Sequence, residues 1–417
     1  EVADTMKPID DAMRWGFGHK AGPFEIWDML GVQALVDQMT AAGFAPADWV
    51  LTMLKNGRDS FYQYEDGSIV GVYDVSKGDY VRIARDPNLV LLKEQKVVKK
   101  NAGATIHDMG DGVAGVEFHT KMNALDADIV EIINEALDRT ESEFDGLVIG
   151  NEADHFSAGA NLFMVVMAAQ QQMWDQLDEM IVGLQNVMMR MRYSPKPVVV
   201  APAGMALGGG CEMIMHGSRV VAAGELYTGL VELGAGVIPA GGGTKEMMRR
   251  VINPAMKVPE AIGLPFIQKA FLQIGQAKVA TSAREAQQMG ILTGSDRIVM
   301  SRDHLLAEAK KEVLHMANTG YTPPLPEKIY AAGRDMLGAL ELGAYMFKEG
   351  KFITEFENVI ANKLSYILSG GGLSKPQWVS EQYVLDLERE AFLSLCGEAK
   401  TQERMWALLN TGKPLRN

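Results

Sequence analysis

The stretch that decides the fold is Leu207-Gly208-Gly209-Gly210-Cys211-Glu212, in the middle of the chain. It follows the valine-rich run Pro197–Pro202, which is typical of a buried strand, and leads into Met213-Ile214-Met215, which is typical of a helix. Glycines directly before a helix leave backbone N–H groups free at the helix N-terminus, where they can hold a developing oxyanion. The order strand, glycines, helix therefore indicates an α/β fold with a candidate anion site at this turn.

A second carboxylate, Glu232, follows in the stretch Val231-Glu232-Leu233-Gly234-Ala235-Gly236-Val237-Ile238-Pro239. Taken alone, a glutamate on a first helical turn is a routine, dipole-favoured choice, and a glycine triplet can merely permit close packing. Two glutamates facing each other in one cleft would instead have their pKa values pushed apart, as acid–base work requires. A companion turn, Phe156-Ser157-Ala158-Gly159-Ala160-Asn161, follows the strand-like run Gly146–Gly150 and favours this second interpretation.

Together these stretches resemble the crotonase family, the enoyl-CoA hydratases and isomerases. The resemblance is closest over residues 103–252, extends to 318 and fades beyond. It implies a fold of class α/β: a crotonase-like ββα superhelix core with a helical C-terminal region. This sequence departs from the family pattern at Val231, where proline is usual, at Ala240, where glycine is usual, at Asn161, where aspartate is commoner, and at Lys245-Glu246.

The resemblance also implies the site. The backbone N–H groups of Ala158 and Gly209 would form an oxyanion hole for a thioester carbonyl, and each such donor is typically worth about 3–4 kcal/mol of barrier height. Glu212 would act as base toward water, and Glu232 would deliver a proton to the α carbon. The residues expected to line the substrate are Ala158, Gly159, Ala160, Asn161, Gly208 and Gly209. No metal is expected, since the histidines and cysteines show no metal-ligand spacing.

The two glutamates favour hydration, because isomerases of this family often keep only one. The expected reaction is syn addition of water to a trans-2-enoyl-CoA, which gives a 3-hydroxyacyl-CoA in fatty-acid β-oxidation. Two alternatives stay open. One is an enoyl-CoA isomerase of the same fold. The other is a mainly structural half of a multifunctional β-oxidation protein, in which the core docks partner chains.

The first 50 residues have helical periodicity, with one helix opening at Pro23 and running through Leu35. Within them, Gly16-Phe17-Gly18-His19-Lys20-Ala21-Gly22-Pro23-Phe24-Glu25 resembles the C-terminal domain of 3-hydroxyacyl-CoA dehydrogenases. This likeness implies a small α-helical N-terminal dehydrogenase-like segment within a bifunctional dehydrogenase/hydratase. NAD would then bind a domain upstream of this chain, which starts at Glu1 without Met.

The chain itself carries no expected cofactor, and acyl-CoA would be its substrate. Gly110-Asp111-Gly112-Val113-Ala114-Gly115 matches the dinucleotide pattern G-x-G-x-x-G by letter. That pattern must open a helix, whereas here it runs into Val116-Glu117-Phe118-His119, a β pattern. We therefore interpret it as a hairpin turn.

Four ranges describe the predicted organisation. They are 1–50, the helical dehydrogenase-like segment; 51–101, a hairpin with an Asp66-Gly67 turn and a linker; 102–318, the crotonase core; and 319–417, a helical insertion and C-terminal helices. Lys93–Lys100 is interpreted as a charged connector, and residues 320–350 as the insertion.

Composition narrows the class of protein. A net charge of −13 argues against a general nucleic-acid binder, since phosphate contacts need a basic surface. Two cysteines, Cys211 and Cys396, make no disulfide framework and suit a reducing cytoplasm. No apolar run reaches the roughly 20 residues of a membrane-spanning helix. The family resemblance further implies a homo-oligomer.

Overall fold

The computed structural model describes residues 3, 5–65, 68–84, 86 and 88–417. The chain divides into two compact units. The smaller contains Glu1–Leu89 and Met300–His304, and the larger contains Val90–Val299 and Leu305–Asn417.

The smaller unit packs four helices against a three-stranded antiparallel sheet. The helices are α1 (Lys7–Phe17), α2 (Pro23–Leu30), α3 (Val32–Ala41) and α4 (Asp48–Lys55), and the strands are β1 (Tyr62–Glu65), β2 (Ser68–Asp74) and β3 (Asp79–Arg82). The single helix predicted from Pro23 through Leu35 is wrong, because Gly31 has a φ of 88° and separates α2 from α3. The predicted hairpin pairs β1 with β2, and its Asp66-Gly67 turn lies outside the described residues.

The larger unit is built on a seven-stranded sheet with the order β12-β10-β8-β7-β6-β5-β4. Its strands are β4 (Lys96–Lys100), β5 (Ala104–Asp108), β6 (Val113–Phe118), β7 (Gly146–Gly150), β8 (Val198–Ala201), β10 (Arg219–Ala223) and β12 (Arg297–Val299). Strands β6, β7, β8, β10 and β12 run parallel, whereas β4, β5 and β6 pair antiparallel. A short parallel pair, β9 (Gly204–Leu207) and β11 (Leu226–Gly229), stands apart and leads into the two glutamate segments.

Helices cover both faces of the sheet and form the C-terminal region. They are α5 (Ala127–Glu143), α6 (Leu162–Gln170), α7 (Trp174–Arg192), α8 (Gly209–His216), α9 (Gly243–Met247), α10 (Asn253–Met256), α11 (Leu264–Gly275), α12 (Ala283–Met289), α13 (Leu305–Asn318), α14 (Arg334–Glu349), α15 (Glu355–Leu368), α16 (Glu381–Cys396) and α17 (Ala399–Thr411). A π-helical segment, Met248–Ile252, joins α9 to α10, and two short strands, β13 (Ile329–Ala331) and β14 (Gln377–Val379), pair antiparallel.

The segment interpreted as a connector is an edge strand. Within Lys93–Lys100, residues 96–100 form β4, which pairs antiparallel with β5. Its lysines are exposed, and charged edge residues are a common way to block pairing with other chains. The charge that suggested a connector therefore belongs to a sheet edge. The match to G-x-G-x-x-G is the tight β5–β6 turn, as interpreted from the sequence.

The valine-rich strands are buried because helices lie on both faces of the sheet. Along β7, Val148 packs with α13 on one face, whereas Leu147 and Ile149 join the core formed with α5 on the other. Glycines at the two ends of β7 allow this close packing. A Cβ at Gly146 would lie 2.5 Å from Val313 Cγ1, and one at Gly150 would lie 2.8 Å from Leu306 Cδ2.

We expect Gly146→Ala to destabilise the larger unit by about 1–3 kcal/mol, since the added methyl group overpacks the interface with α13. Gly183→Ala is the matched control, because a Cβ at this helical position meets no atom within 4 Å. The control should raise stability by about 0.5–1 kcal/mol through helix propensity. Urea unfolding followed by circular dichroism checks both, and equal midpoints for the two variants would contradict the packing argument.

Candidate active site

The strand-to-helix turn before Glu212 depends on glycines for close approach. Strand β9 ends at Leu207, Gly208 has a φ of 53°, and α8 begins at Gly209. A Cβ at Gly208 would lie 3.2 Å from Glu232 Oε1, and one at Gly210 would lie 2.9 Å from Ser157 Cβ. The glycines thus let the N-terminus of α8 pack directly against both companion segments.

Glu212 lies on the first turn of α8 and is buried. Its Oε1 accepts hydrogen bonds from the backbone N–H groups of Gly241 at 2.9 Å and Gly243 at 2.8 Å. Burial raises the pKa of Glu212 to about 7, against the lowering effect of these two amides. The side chain can therefore exchange a proton near neutral pH.

Glu232 opens a short 3-10 helix, Glu232–Ala235, and its carboxyl group reaches the same turn. Its Oε2 is buried and has no hydrogen-bond partner among the described residues. Burial, and then the negative charge of Glu212, raise the pKa of Glu232 well above its ordinary value. An unpartnered buried carboxyl oxygen is costly to leave in a fold, which makes Glu232 Oε2 a candidate to contact a reacting group or ligand.

The two carboxyl groups border neighbouring backbone positions. Glu232 Oε1 lies 3.2 Å from the position of a Cβ on Gly208, and Glu212 Oε2 lies 3.8 Å from that of a Cβ on Gly209. Among the described residues, no donor bonds to Glu212 Oε2. The structure therefore brings both glutamates to the one turn that the glycines form.

The companion turn packs against this backbone. Leu207 donates to the Ser157 carbonyl at 2.9 Å, and Gly159, with a φ of 102°, lies so close that its Cβ would be 3.3 Å from Gly209 N. Asn161 caps α6 by accepting a hydrogen bond from Met164 N. Ala160 N lies 3.5 Å from the position of a Cβ on Gly209. Of the residues predicted to line the substrate, Gly159 and Ala160 thus lie against the Gly208–Gly209 backbone, whereas Asn161 caps α6.

The two predicted oxyanion donors differ in their bonding. The Gly209 N–H bonds to no acceptor among the described residues, whereas the Ala158 N–H donates to the Met122 carbonyl at 3.1 Å. Met122 and Asn123 have left-handed φ values of 58° and 51°. Asn123 is also held by its side chain, which donates to the His155 carbonyl. The Ala158 N–H, one of the two expected oxyanion donors, is therefore already bonded to a carbonyl oxygen of the protein itself.

A buried ionic cluster that was not predicted from the sequence lies close to Glu212 and is linked to it through His216. The three N–H donors of Lys245 reach Glu246 at 2.7 Å, Glu381 at 3.0 Å and His216 Nε2 at 3.0 Å. Burial alone would raise the pKa of Glu246, but the cations around it, Lys245 first and Arg249 next, hold that pKa well below its ordinary value. The signal was present in the sequence as the departure Lys245-Glu246 from the family pattern.

His216 links this cluster to α8. Its Nδ1 lies 2.7 Å from the Glu212 carbonyl, which can only accept, so Nδ1 carries the proton and Nε2 accepts from Lys245. Burial, and then the charge of Lys245, lower the pKa of His216 well below its ordinary value. The ring is therefore neutral and fixes the end of α8.

A third buried acid, Glu388, also belongs to this region. It lies on α16 and accepts from Gly242 N and Lys245 N. Burial, and then the charge of Glu212, raise its pKa well above its ordinary value. Its sequence signal is its position on the apolar stripe of α16, among Val384, Ala391 and Leu395.

The family model described as enoyl-CoA hydratase/isomerase matches residues 108–323. The chain belongs to this family. Within it, the described residues contain no cluster of metal-ligating side chains. Likewise, none of the helices described combines the length and apolarity that crossing a bilayer requires.

Similar proteins extend over the rest of the chain. A "Probable 3-hydroxyacyl-CoA dehydrogenase" of Bacillus subtilis is 43% identical and covers all of this chain, which spans 52% of that relative. A "Putative fatty acid oxidation complex trifunctional enzyme" of Rickettsia felis is 27% identical over 98% of the chain and 50% of its own length. The chain therefore spans about half the length of the curated relatives it matches.

A solved structure supports the fold alone. The enoyl-CoA hydratase from Bacillus halodurans is 17% identical, aligns with a TM-score of 0.50, and covers 73% of this chain and 99% of its own. The crotonase-like α/β core with a helical C-terminal region, expected from the sequence, is thus confirmed. The functional assignment of the four predicted ranges, including the 320–350 insertion, stays a prediction.

We expect the burial of Glu212 to make stability depend on pH. Its pKa is about 7 in the folded chain and about 4.3 in an unfolded one, so its stabilising contribution is complete below pH 4 and is lost as pH rises through 7. Between pH 5 and 8, wild type should therefore lose on the order of a few kcal/mol relative to Glu212→Gln. Urea unfolding at both pH values measures this difference. Glu179→Gln, at an exposed position of α7, is the control and should lose as much stability between pH 5 and pH 8 as wild type does. If Glu212→Gln also lost that much stability, the burial of Glu212 would not be the cause.

Proposed function

We propose that this chain hydrates trans-2-enoyl-CoA thioesters to 3-hydroxyacyl-CoA. The observation that carries the proposal is the meeting of two buried carboxyl groups, Glu212 and Glu232, at one glycine turn, where no described residue donates a hydrogen bond to Glu232 Oε2. Hydration needs one group to take a proton from water and another to supply one to carbon. An isomerase, which moves one proton, has no need of two.

The electrostatics of the pair support distinct roles. Glu212 has a pKa of about 7 and two amides on Oε1, so it is the acid of the pair that ionises more readily. As a carboxylate it would take a proton from water while the water oxygen adds to C3. Glu232, whose pKa is raised well above its ordinary value by burial and by the charge of Glu212, would keep its proton and transfer it to C2. Both groups reach the same turn, which suits addition to one face of the double bond.

The thioester oxygen would accept from the Gly209 N–H, which bonds to no acceptor in the described part of the chain, and from the Ala158 N–H. The second bond requires the Met122 carbonyl to leave Ala158. The left-handed conformations of Met122 and Asn123 make this segment the point of adjustment, because a rotation of one peptide would turn the Met122 carbonyl away from Ala158.

The wider setting is also a proposal. Acyl-CoA would be the substrate, and this chain would contribute no redox cofactor. A dehydrogenase step on the 3-hydroxy product, with NAD bound to a segment outside this chain, is consistent with the names of these two relatives. A role in β-oxidation in the cytoplasm and assembly as a homo-oligomer remain predictions.

Activity with crotonyl-CoA, followed as loss of enoyl absorbance, tests the reaction. Glu212→Gln and Glu232→Gln should each lower kcat about 100- to 10,000-fold, since each removes one proton-transfer group. Circular dichroism should show both variants folded. Glu225→Gln, at an exposed position directly before β11, serves as control and should keep wild-type rates.

Other results would redirect the assignment. If Glu232→Gln hydrates nothing yet still shifts the double bond of a 3-enoyl-CoA, the isomerase alternative is favoured. Near-normal hydration by both glutamine variants would refute the proposed roles. A wild-type protein that binds partner chains but turns over neither substrate would favour the structural alternative.

A further inference from the structure

The segment Gly241-Gly242-Gly243, here called the glycine loop, lies between two buried carboxyl groups from different helices. On one side, Glu212 Oε1 accepts from Gly241 and Gly243. On the other, Glu388 Oε2 accepts from Gly242 at 2.9 Å and Oε1 accepts from Lys245 N at 2.6 Å. Successive amides therefore point alternately to α8 and to α16.

This alternation fixes the loop tightly. Gly242 has a φ of 103°, and an added Cβ there would lie 2.8 Å from His216 Cε1, so glycine is needed for the loop to approach α8 this closely. Gln185 donates from Nε2 both to the Ala240 carbonyl at 2.8 Å and to the Leu385 carbonyl at 2.9 Å, which ties the start of the loop to α16. Glu388 is fully buried and supplies the remaining contact that holds the loop from the α16 side.

We propose that Glu388 is a positioning residue: by holding the amides of Gly242 and Lys245, it keeps the amides of Gly241 and Gly243 on Glu212. The inference rests on the proposed function for its activity readout. Glu388 touches neither reacting carbon nor water in this account, and it acts only through the glycine loop.

Two effects of removing Glu388 would oppose each other. Loss of the loop geometry weakens the amide bonds to Glu212 and raises the pKa of Glu212, whereas loss of a nearby negative charge would lower it. Burial and the charge of Glu212 raise the pKa of Glu388 well above its ordinary value, which favours the neutral form of Glu388 and weakens the effect of its charge. The loop effect therefore dominates. The titratable and charged groups around Glu388 are Glu212 and His216 on α8, Glu232, Lys245 and Glu246 on α9, Arg192 on α7, and Glu381 on α16 itself.

The test is the pH profile of kcat for Glu388→Gln. A glutamine side chain can accept with only one atom, so the amide of either Gly242 or Lys245 loses its acceptor. We expect the acid limb, which reports Glu212, to move to higher pH by roughly one unit, with KM changed less than threefold and activity partly recovered above the limb. An unmoved limb with a uniformly lower rate would mean a merely structural role, and a limb moved to lower pH would mean action through charge. Either result overturns the proposal.

Glu381→Gln is the matched control. It removes a buried carboxylate two turns earlier on the same helix, one that bonds to Lys245 Nζ but to no amide of the glycine loop. Its acid limb should stay within about 0.3 unit of wild type, well inside the shift of about one unit expected for a lost amide bond. If Glu388→Gln does not fold, Glu388→Asp, whose carboxylate is one methylene shorter, should give the same upward shift.

A readout without turnover separates this inference from the proposed function. Infrared difference spectra, with Glu212→Gln as the blank, follow the carboxyl stretch of Glu212 against pH. If wild type fails to hydrate crotonyl-CoA, the proposed function fails, but an upward shift of this titration in Glu388→Gln still supports the inference. An unshifted titration refutes it, whatever the activity.

Discussion

The two amide bonds from Gly241 and Gly243 to Glu212 are the interaction on which the rest of the site depends. A carboxylate buried in an apolar interior is strongly disfavoured, and without donors it would simply stay protonated. The amides offset part of that cost and bring the pKa of Glu212 back to about 7. The backbone thus takes the place of the solvent that burial removes, and the group can exchange a proton in a dry site.

The need for amides to approach Glu212 closely explains why residues 241–243 are all glycine. A Cβ at Gly241 would lie 2.5 Å from Glu212 Oε2, and one at Gly243 would lie 2.8 Å from Oε1. No side chain fits where amides must approach a carboxylate so closely. The same reasoning applies to Gly208, whose Cβ would approach Glu232 Oε1. The glycines are therefore needed for access to the two acids as well as for backbone conformation.

The sequence predicted those parts of the site that are encoded locally. The glycine turn before α8, the buried strands β7 and β8 and the companion turn follow from residues next to one another. Features that depend on contacts between segments distant in sequence were not predicted. Glu388 meets the glycine loop only because α16 packs there, and the Met122 carbonyl reaches Ala158 only through a left-handed backbone that no motif specifies. Edge strand β4 was missed because its lysines reflect exposure at the edge, where strand and connector compositions look alike.

The three buried acids Glu212, Glu232 and Glu388 are not equivalent, because they differ in their backbone donors and in the charges near them. Glu212 has two amides on one oxygen and ionises near neutral pH, whereas burial first, and then the charge of Glu212, raise the pKa of both Glu232 and Glu388. Ionisation of Glu212 therefore keeps Glu232 protonated. The proposed reaction needs an ionised base and a protonated acid at the same time. Here the ionised form of Glu212 favours the protonated form of Glu232. When Glu212 accepts a proton from water, the repulsion that held the proton on Glu232 is relieved, which favours its transfer to carbon in the same step.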